Sequence, residues 1–421
     1  MKLQSLLLKI STATACLSLL AAGTFAQAAN ASPKEERLLN GLKLLMLSDQ
    51  TADKVTMFVR VHAGSAFDPQ GKEGMMRLLA ANIFPNPEVK DYFKDELGGS
   101  LDIEDNYDFI EVRATAAPDK LLTMMEAVST AVANVPVEKD TTDKLKTAQL
   151  KRVEDLGKDP SYVADQAAAA RLLGTYPYGR PIDGTPASIQ KIEFADLLFA
   201  KQRFFTADNA TVVISGKFDP DLTYRAARRY LGSWLKSDKR IPPTFRQPDD
   251  PLTALQMVNS PVADAFAVRV ITRGPSRAGA DSAAYSVVAR ILENRLKALV
   301  PAHAEGVAVS CNAHVLPGTF AISFTGTKDP APQKLEAMDL ITKALGMALT
   351  DAEFQAANQA YLTDREKESL ADRWLDVDTF KTLPPSKPDA PVSIADAQRV
   401  LDKLQKQPFA TVVVSSAKAA S

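Results

Sequence analysis

The most constraining feature of this 421-residue sequence is that it contains itself twice. The run from Ala195-Asp196 to Ala210-Thr211-Val212-Val213-Ile214-Ser215 lies without a gap on Ala395-Asp396 to Ala410-Thr411-Val412-Val413-Val414-Ser415. In each copy a helical stretch leads into a β-branched strand. Nearer the start of each half, Phe58-Val59-Arg60-Val61 resembles Ala267-Val268-Arg269-Val270, and both precede a glycine turn and a helix. Residues 108–114 and 319–325 read as matching strands, followed by helices over 120–132 and 332–345. A repeat this long implies duplicated domains, not a solenoid of short units. Between the copies, residues 237–251 hold Pro242, Pro243, Pro248 and Pro251, the composition of a stiff extended linker. The expected division is 29–236, a linker over 237–251, and 252–421.

Within the first half, 38–48 and 55–62 read as strands. Val55, Met57, Val59 and Val61 alternate with Thr56, Phe58, Arg60 and His62, placing the two sets on opposite faces. A helix is predicted over 73–84, and another opens at Asp159-Pro160 and stops at Gly174. The order strand, strand, helix, strand, strand, helices, strand recurs in both halves. That order predicts an α+β fold of two homologous domains, each a mixed, mostly antiparallel sheet with helices packed on one face.

The first 28 residues read as an address. Lys2 and Lys9 precede or flank an apolar stretch over 10–25, and Ala26-Gln27-Ala28 supplies a small-x-small end. This is a secretory signal with cleavage expected after Ala28, and a periplasmic destination follows from it. Losing both lysines takes the formal charge from −1 to −3. With Cys16 removed, Cys311 remains as a single thiol, so no internal disulfide is expected. No later run approaches the roughly 20 apolar residues of a membrane helix. Hydrophobic residues at 46% exclude a disordered chain, and 50 basic against 51 acidic side chains argue against nucleic acid as a partner.

Several stretches resemble the pitrilysin/insulinase-type metallopeptidases, which include mitochondrial processing peptidase and the cytochrome bc1 core subunits. They are Asn40-Gly41-Leu42, Ala63-Gly64-Ser65, Glu96-Leu97-Gly98-Gly99-Ser100, Tyr176-Pro177-Tyr178-Gly179-Arg180-Pro181, Gly184-Thr185-Pro186 and Phe204-Phe205-Thr206-Ala207-Asp208-Asn209-Ala210. Together they span essentially the whole chain after the signal. The resemblance implies the processing-peptidase/LuxS-metallohydrolase-like architecture and a zinc metalloendopeptidase ancestry. Active relatives carry His-x-x-Glu-His on the helix after the second strand, two histidines binding zinc and the glutamate acting as base. Here Arg77 stands at the first histidine, Ala80 at the glutamate and Ala81 at the second histidine. A guanidinium stays protonated and repels a dication, and a methyl group offers no lone pair. The position of the family's third ligand falls near Lys151 or Arg152, with Glu154 close enough to leave the register open.

A second family constellation, an arginine and a tyrosine that polarise the scissile carbonyl, maps onto Ala302 and Val309, so that pair is also lost. Arg295 lies too early in the sequence and reads as a helix-surface ion-pair partner. His62, His303 and His314 show no ligand spacing, and Cys311 reads as a half-buried hydrophobe. Neither catalytic residues nor bound metal are expected. Gly98, Gly99, Ser100 and Tyr107 are the candidates for touching a peptide, although Tyr107, Phe109, Tyr176 and Tyr178 also suit packing. The leading expectation is a non-catalytic, pseudopeptidase subunit that holds an extended peptide in a chamber shared with an active zinc-peptidase paralogue, or with a second copy as a homo-oligomer. The alternative is a stand-alone periplasmic peptide-binding or scaffold protein, and a third reading is an active zinc metallopeptidase.

Overall fold

A computed structural model describes residues 32–237, 242, 244–262, 265–326, 333–387 and 390–416. The expected signal therefore lies outside the described residues, as does part of the expected linker. Six strands form the first sheet: β1 (Lys34–Arg37), β2 (Lys43–Ser48), β3 (Val55–Val61), β4 (Ser100–Asp105), β5 (Ile110–Ala116) and β6 (Ala210–Gly216), in the order β1-β2-β6-β3-β5-β4. The helices of this half are α1 (Met75–Ala81), α2 (Val89–Asp95), α3 (Leu121–Ala133), α4 (Lys139–Leu156), α5 (Pro160–Leu173), α6 (Pro186–Gln190), α7 (Phe194–Phe204) and α8 (Pro220–Leu231). The second sheet has β7 (Gln256–Asn259), β8 (Phe266–Arg273), β9 (Val307–Asn312), β10 (Thr319–Gly326) and β11 (Ala410–Ser415), ordered β7-β11-β8-β10-β9. With it come α9 (Ser282–Leu299), α10 (Gln333–Gly346), α11 (Asp351–Lys367), α12 (Leu370–Phe380) and α13 (Ile394–Lys406).

The two sheets follow one plan. In each, the last strand runs parallel to the first strand of the repeat unit (β6 to β2, β11 to β7), and the remaining pairs of that unit are antiparallel. The duplicated text has a physical meaning here. Asp196 and Asp396 are the third residues of α7 and α13, and each closes a capping box, with Glu193 and Ser393 respectively. Helix α5 starts and stops as predicted: Asp159 accepts from the Ser161 N–H at 2.8 Å, and Gly174 turns the chain at φ +57°.

Two elements are shorter than the pattern predicts. The expected strand over 38–48 is a hairpin turn followed by β2, because Asn40-Gly41, with Gly41 at φ +87°, folds β1 back on β2. The expected helix over 73–84 is confined to Met75–Ala81, entered through Gly74 at φ +91°.

Val55, Met57, Val59 and Val61 face the first core, none more than 1% exposed. The opposite face of each sheet is covered by a helix from the other half. Helix α5 lies on β8 and β11, packing Ala164, Ala168 and Leu172 against Ala267, Ile271, Val412 and Val414. Helix α12 lies on β6 and packs Ala371, Trp374 and Leu375 against Leu45, Leu47, Phe58 and Val213.

The repeated strand arginines pin each crossing. Arg60, 4% exposed, donates to Glu111 at 2.7 Å within its own sheet and to Asp376 of α12 at 2.9 Å. Arg269 pairs with Asp165 of α5, its Nη2 reaching Oδ2 at 3.3 Å. Burial pushes the Glu111 carboxyl above its ordinary range, against the pull of Arg60. Removing one partner from such a buried pair strands the other. Arg60→Met is expected to lower stability by about 3–5 kcal/mol in urea unfolding. Arg60→Met combined with Glu111→Leu should recover most of that loss, and a double variant as unstable as the single one would show that the pair is not the source.

Candidate functional site

Helix α1 is set down by Asp68. Its carboxylate accepts from the Gly74 and Met76 N–H groups, both at 2.8 Å, and Arg180 holds the turn through the carbonyls of Asp68 and Ala66. Burial pushes Asp68 up to about 8 despite those two amides. Leu78 and Leu79 enter the core and Ala80 is buried with them. Arg77 leaves the helix on the remaining side.

Its guanidinium lies between two carboxylates. Nη2 is 3.1 Å from Asp105 Oδ1, at the end of β4, and Nη1 is 3.3 Å from Asp183 Oδ1 in the loop before α6. The same Asp183 oxygen accepts from Arg152 Nε of α4 at 2.9 Å. Asp105 is largely buried, and burial pushes its carboxyl up to about 6, with Arg77 pulling the other way. Tyr162 beside them is pushed up to about 12, again by burial. Among the described residues, no three His, Cys, Asp or Glu side chains converge as a metal site requires.

Of the positions near the expected third ligand, Lys151, Arg152 and Glu154 are all exposed. The α4 side chain that reaches α1 is Gln149, whose amide donates to the carbonyls of Gly74 (2.9 Å) and Asp183 (3.0 Å). Asp105, Asp183 and Gln149 carry no motif of their own. The nearest signal was the position of Asp183 between the Tyr-Pro-Tyr-Gly-Arg-Pro and Gly-Thr-Pro stretches.

Of the peptide candidates, Tyr107 lies near this cluster, while Gly98, Gly99 and Ser100 sit at the other end of β4 from Asp105. Gly98, Gly99 and Ser100 lead into β4, an edge strand whose outer side is unpaired within the sheet. Gly99 passes so close to β5 that a Cβ there would sit 1.7 Å from the Thr115 carbonyl. Tyr107 is half-buried and its hydroxyl donates to the Arg180 carbonyl at 2.8 Å. With Tyr178 it packs around His314 of the other half. Asp108 accepts there from Tyr178 at 2.7 Å and pairs with His314 Nδ1 at 3.0 Å. His62 contacts the hydroxyls of Thr211 and Thr379.

Val309 is a buried β9 residue of the second core, and the side chain of Ala302 lies outside the described residues. Arg295 corrects the sequence reading. It is not at the helix surface but 3% exposed, bonded to Glu353 and to the carbonyls of Ala344, Met347 and Ala348, so it ties α9 to the turn before α11.

Two sheets of one plan, with a short helix after the second strand of the repeat unit in the first half, give the fold that solved M16-type peptidase structures share. Residues 191–361 match the family model described as the peptidase M16 inactive domain. In fold, the chain is similar to a peptidase M16 inactive domain from Pseudomonas fluorescens, with TM-score 0.81, 18% identity, and 93% of this chain and 99% of that one covered. A protease from Helicobacter pylori superposes with TM-score 0.82 at 16% identity, covering 91% of this chain and all of the other. The periplasmic protease PqqL from Escherichia coli gives TM-score 0.70 at 14% identity, with 92% of this chain matching 48% of that one. No curated protein sequence matches.

The buried acid makes a pH prediction. Asp105 titrates at about 6 in the fold and near ~3.9 in the unfolded chain. As pH rises from about 4 to 6 the unfolded chain gives up this proton first, so the wild type loses stability relative to Asp105→Asn. The gap should grow by about 3 kcal/mol across that window and stay constant above it. Urea unfolding at several pH values reads it, and a gap independent of pH would show that Asp105 is not the buried titrating group.

Proposed function

We propose that this chain is a pseudopeptidase subunit: a zinc-free wall of a peptide-holding chamber that is completed by an active, zinc-bearing paralogue. The observation that carries the reading is Arg77, whose guanidinium sits between Asp105 and Asp183 on the helix where relatives place metal ligands. A fixed positive charge there opposes a dication, and Ala80 and Ala81 offer neither ligand nor base. Strand β4 has a free edge, reached through Gly98, Gly99 and Ser100, that suits an extended peptide bound through main-chain hydrogen bonds.

Size supports pairing, because this chain matches about half of the Escherichia coli periplasmic protease PqqL. A second unit would supply here what that protein carries in one chain. Export follows from the first 28 residues, and among the described residues no helix is long and apolar enough to cross a membrane.

Co-expression with a paralogue carrying an intact His-x-x-Glu-His is the test. A stable complex, with zinc bound only to the paralogue, is the expected result. A lone monomer that nonetheless binds extended peptides would favour the stand-alone reading. Stoichiometric zinc and chelator-sensitive cleavage by this chain alone would overturn both. Ala80→Glu alone should restore neither zinc nor turnover, and should destabilise the chain because the position is 2% exposed. Metal analysis and a peptide-cleavage assay on that variant check the prediction.

A further inference from the structure

A cleft of about 540 Å³ opens in the second half, between the start of α9, the end of α11 and the outer side of α12. Five cationic side chains line it, Arg277, Arg290, Arg365, Arg373 and Lys381, against three acids. The chain as a whole has a formal charge of only −1, so this local positive excess is a property of the cleft. Its volume falls in the ordinary range for small-molecule sites, roughly 300–1,000 Å³.

The ion pairs show which cations can act. Arg290 is matched by Asp364 at 2.7 Å, and Arg365 by Glu368 at 2.6 Å. Arg277 leans on Asp376 at 3.1 Å and more loosely on Glu368 at 3.8 Å. Asp376 is also held by Arg60 at 2.9 Å from inside the seam, so Arg277 can turn to a ligand without stranding that acid. Arg373 lines the same wall and has no carboxylate partner among the described residues. Ser282 and Ser286 of α9 add hydroxyls, and the 18-residue helix directs its positive end toward the cavity.

We propose that this cleft is a binding site for a small ligand bearing an oxyanion, a carboxylate or a phosphate, gripped by Arg373 and Arg277. The proposal is independent of the peptide-holding reading, whose residues lie in the first half. Two arginines lining one pocket suit planar or tetrahedral oxyanions through paired charge-assisted hydrogen bonds.

Isothermal titration of the full chain with pyrophosphate, with tri-alanine and with tri-alanine amide tests it. Saturable one-to-one binding of pyrophosphate identifies the phosphate arm, and binding of the tri-alanine acid but not its amide identifies the carboxylate arm. Arg373→Gln should weaken the bound probe by about tenfold or more, whereas Lys139→Gln on the exposed surface of α4 should leave it unchanged. Affinity should fall as salt is raised. If Arg373→Gln does not fold, Arg277→Gln takes its place, since Asp376 keeps Arg60. No saturable binding of either anion, or binding untouched by these substitutions, overturns the proposal.

Discussion

The architecture depends on two buried arginines that reach across the chain's internal duplication. Arg60 and Arg269 occupy equivalent places in the second strand of each repeat unit, and each grips an acid on a helix contributed by the other half. Those helices, α12 and α5, each cover the sheet face that the local helices leave bare. Pulling the halves apart would expose both apolar faces and break the Arg60–Asp376 and Arg269–Asp165 pairs. A buried charge without a partner is far more costly than a surface one, which makes the seam stiff and fixes how the two sheets face each other. Further pairs surround the crossing of α12, with Lys43 to Asp378 at 3.1 Å and Arg113 to Asp372 at 2.7 Å. Cations lie on the sheet and acids on the helix, so the contact has a sense of direction that greasy packing alone would lack.

This exchange explains which parts of the fold could be read from sequence. Capping aspartates, β-branched strands and the Asp159-Pro160 start are local signals, and they placed α5, β6, β11 and α13 closely. The destination of α5 was not local. Its alanines state that one face is buried without saying against which sheet. Phe58 and Arg60 fall on the alternating face that a one-sided sheet would show to solvent, and both are buried because α12 comes from the far end of the chain. The apolar pattern overruns the end of α1 because it continues past Ala81, where the Asn82 side chain bonds back to the Leu78 carbonyl. Arg295 was placed on a surface because a lone arginine on a helix usually is. The carbonyls that hold it belong to a turn roughly fifty residues later, beyond any spacing rule.

The candidate site divides in the same way. That α1 carries Arg77, Ala80 and Ala81 is plain in the sequence. That Arg77 has two carboxylates waiting for it is not, because β4 and the loop before α6 bring Asp105 and Asp183 to it from distant stretches.

Those partners explain how a cation is accommodated on α1. With a neutral side chain at position 77, Asp105 would be a largely buried carboxylate without its nearest counter-charge, and such a group is destabilising. Arg77 supplies that counter-charge, and Arg152 shares Asp183, so two guanidinium groups and two carboxylates are linked by three ion pairs. The helix, the edge strand β4 and the loop before α6 are thereby joined by protein charges alone. The ion pairs fix the end of β4 to α1 and to the loop before α6, and so hold that end of the edge strand in place.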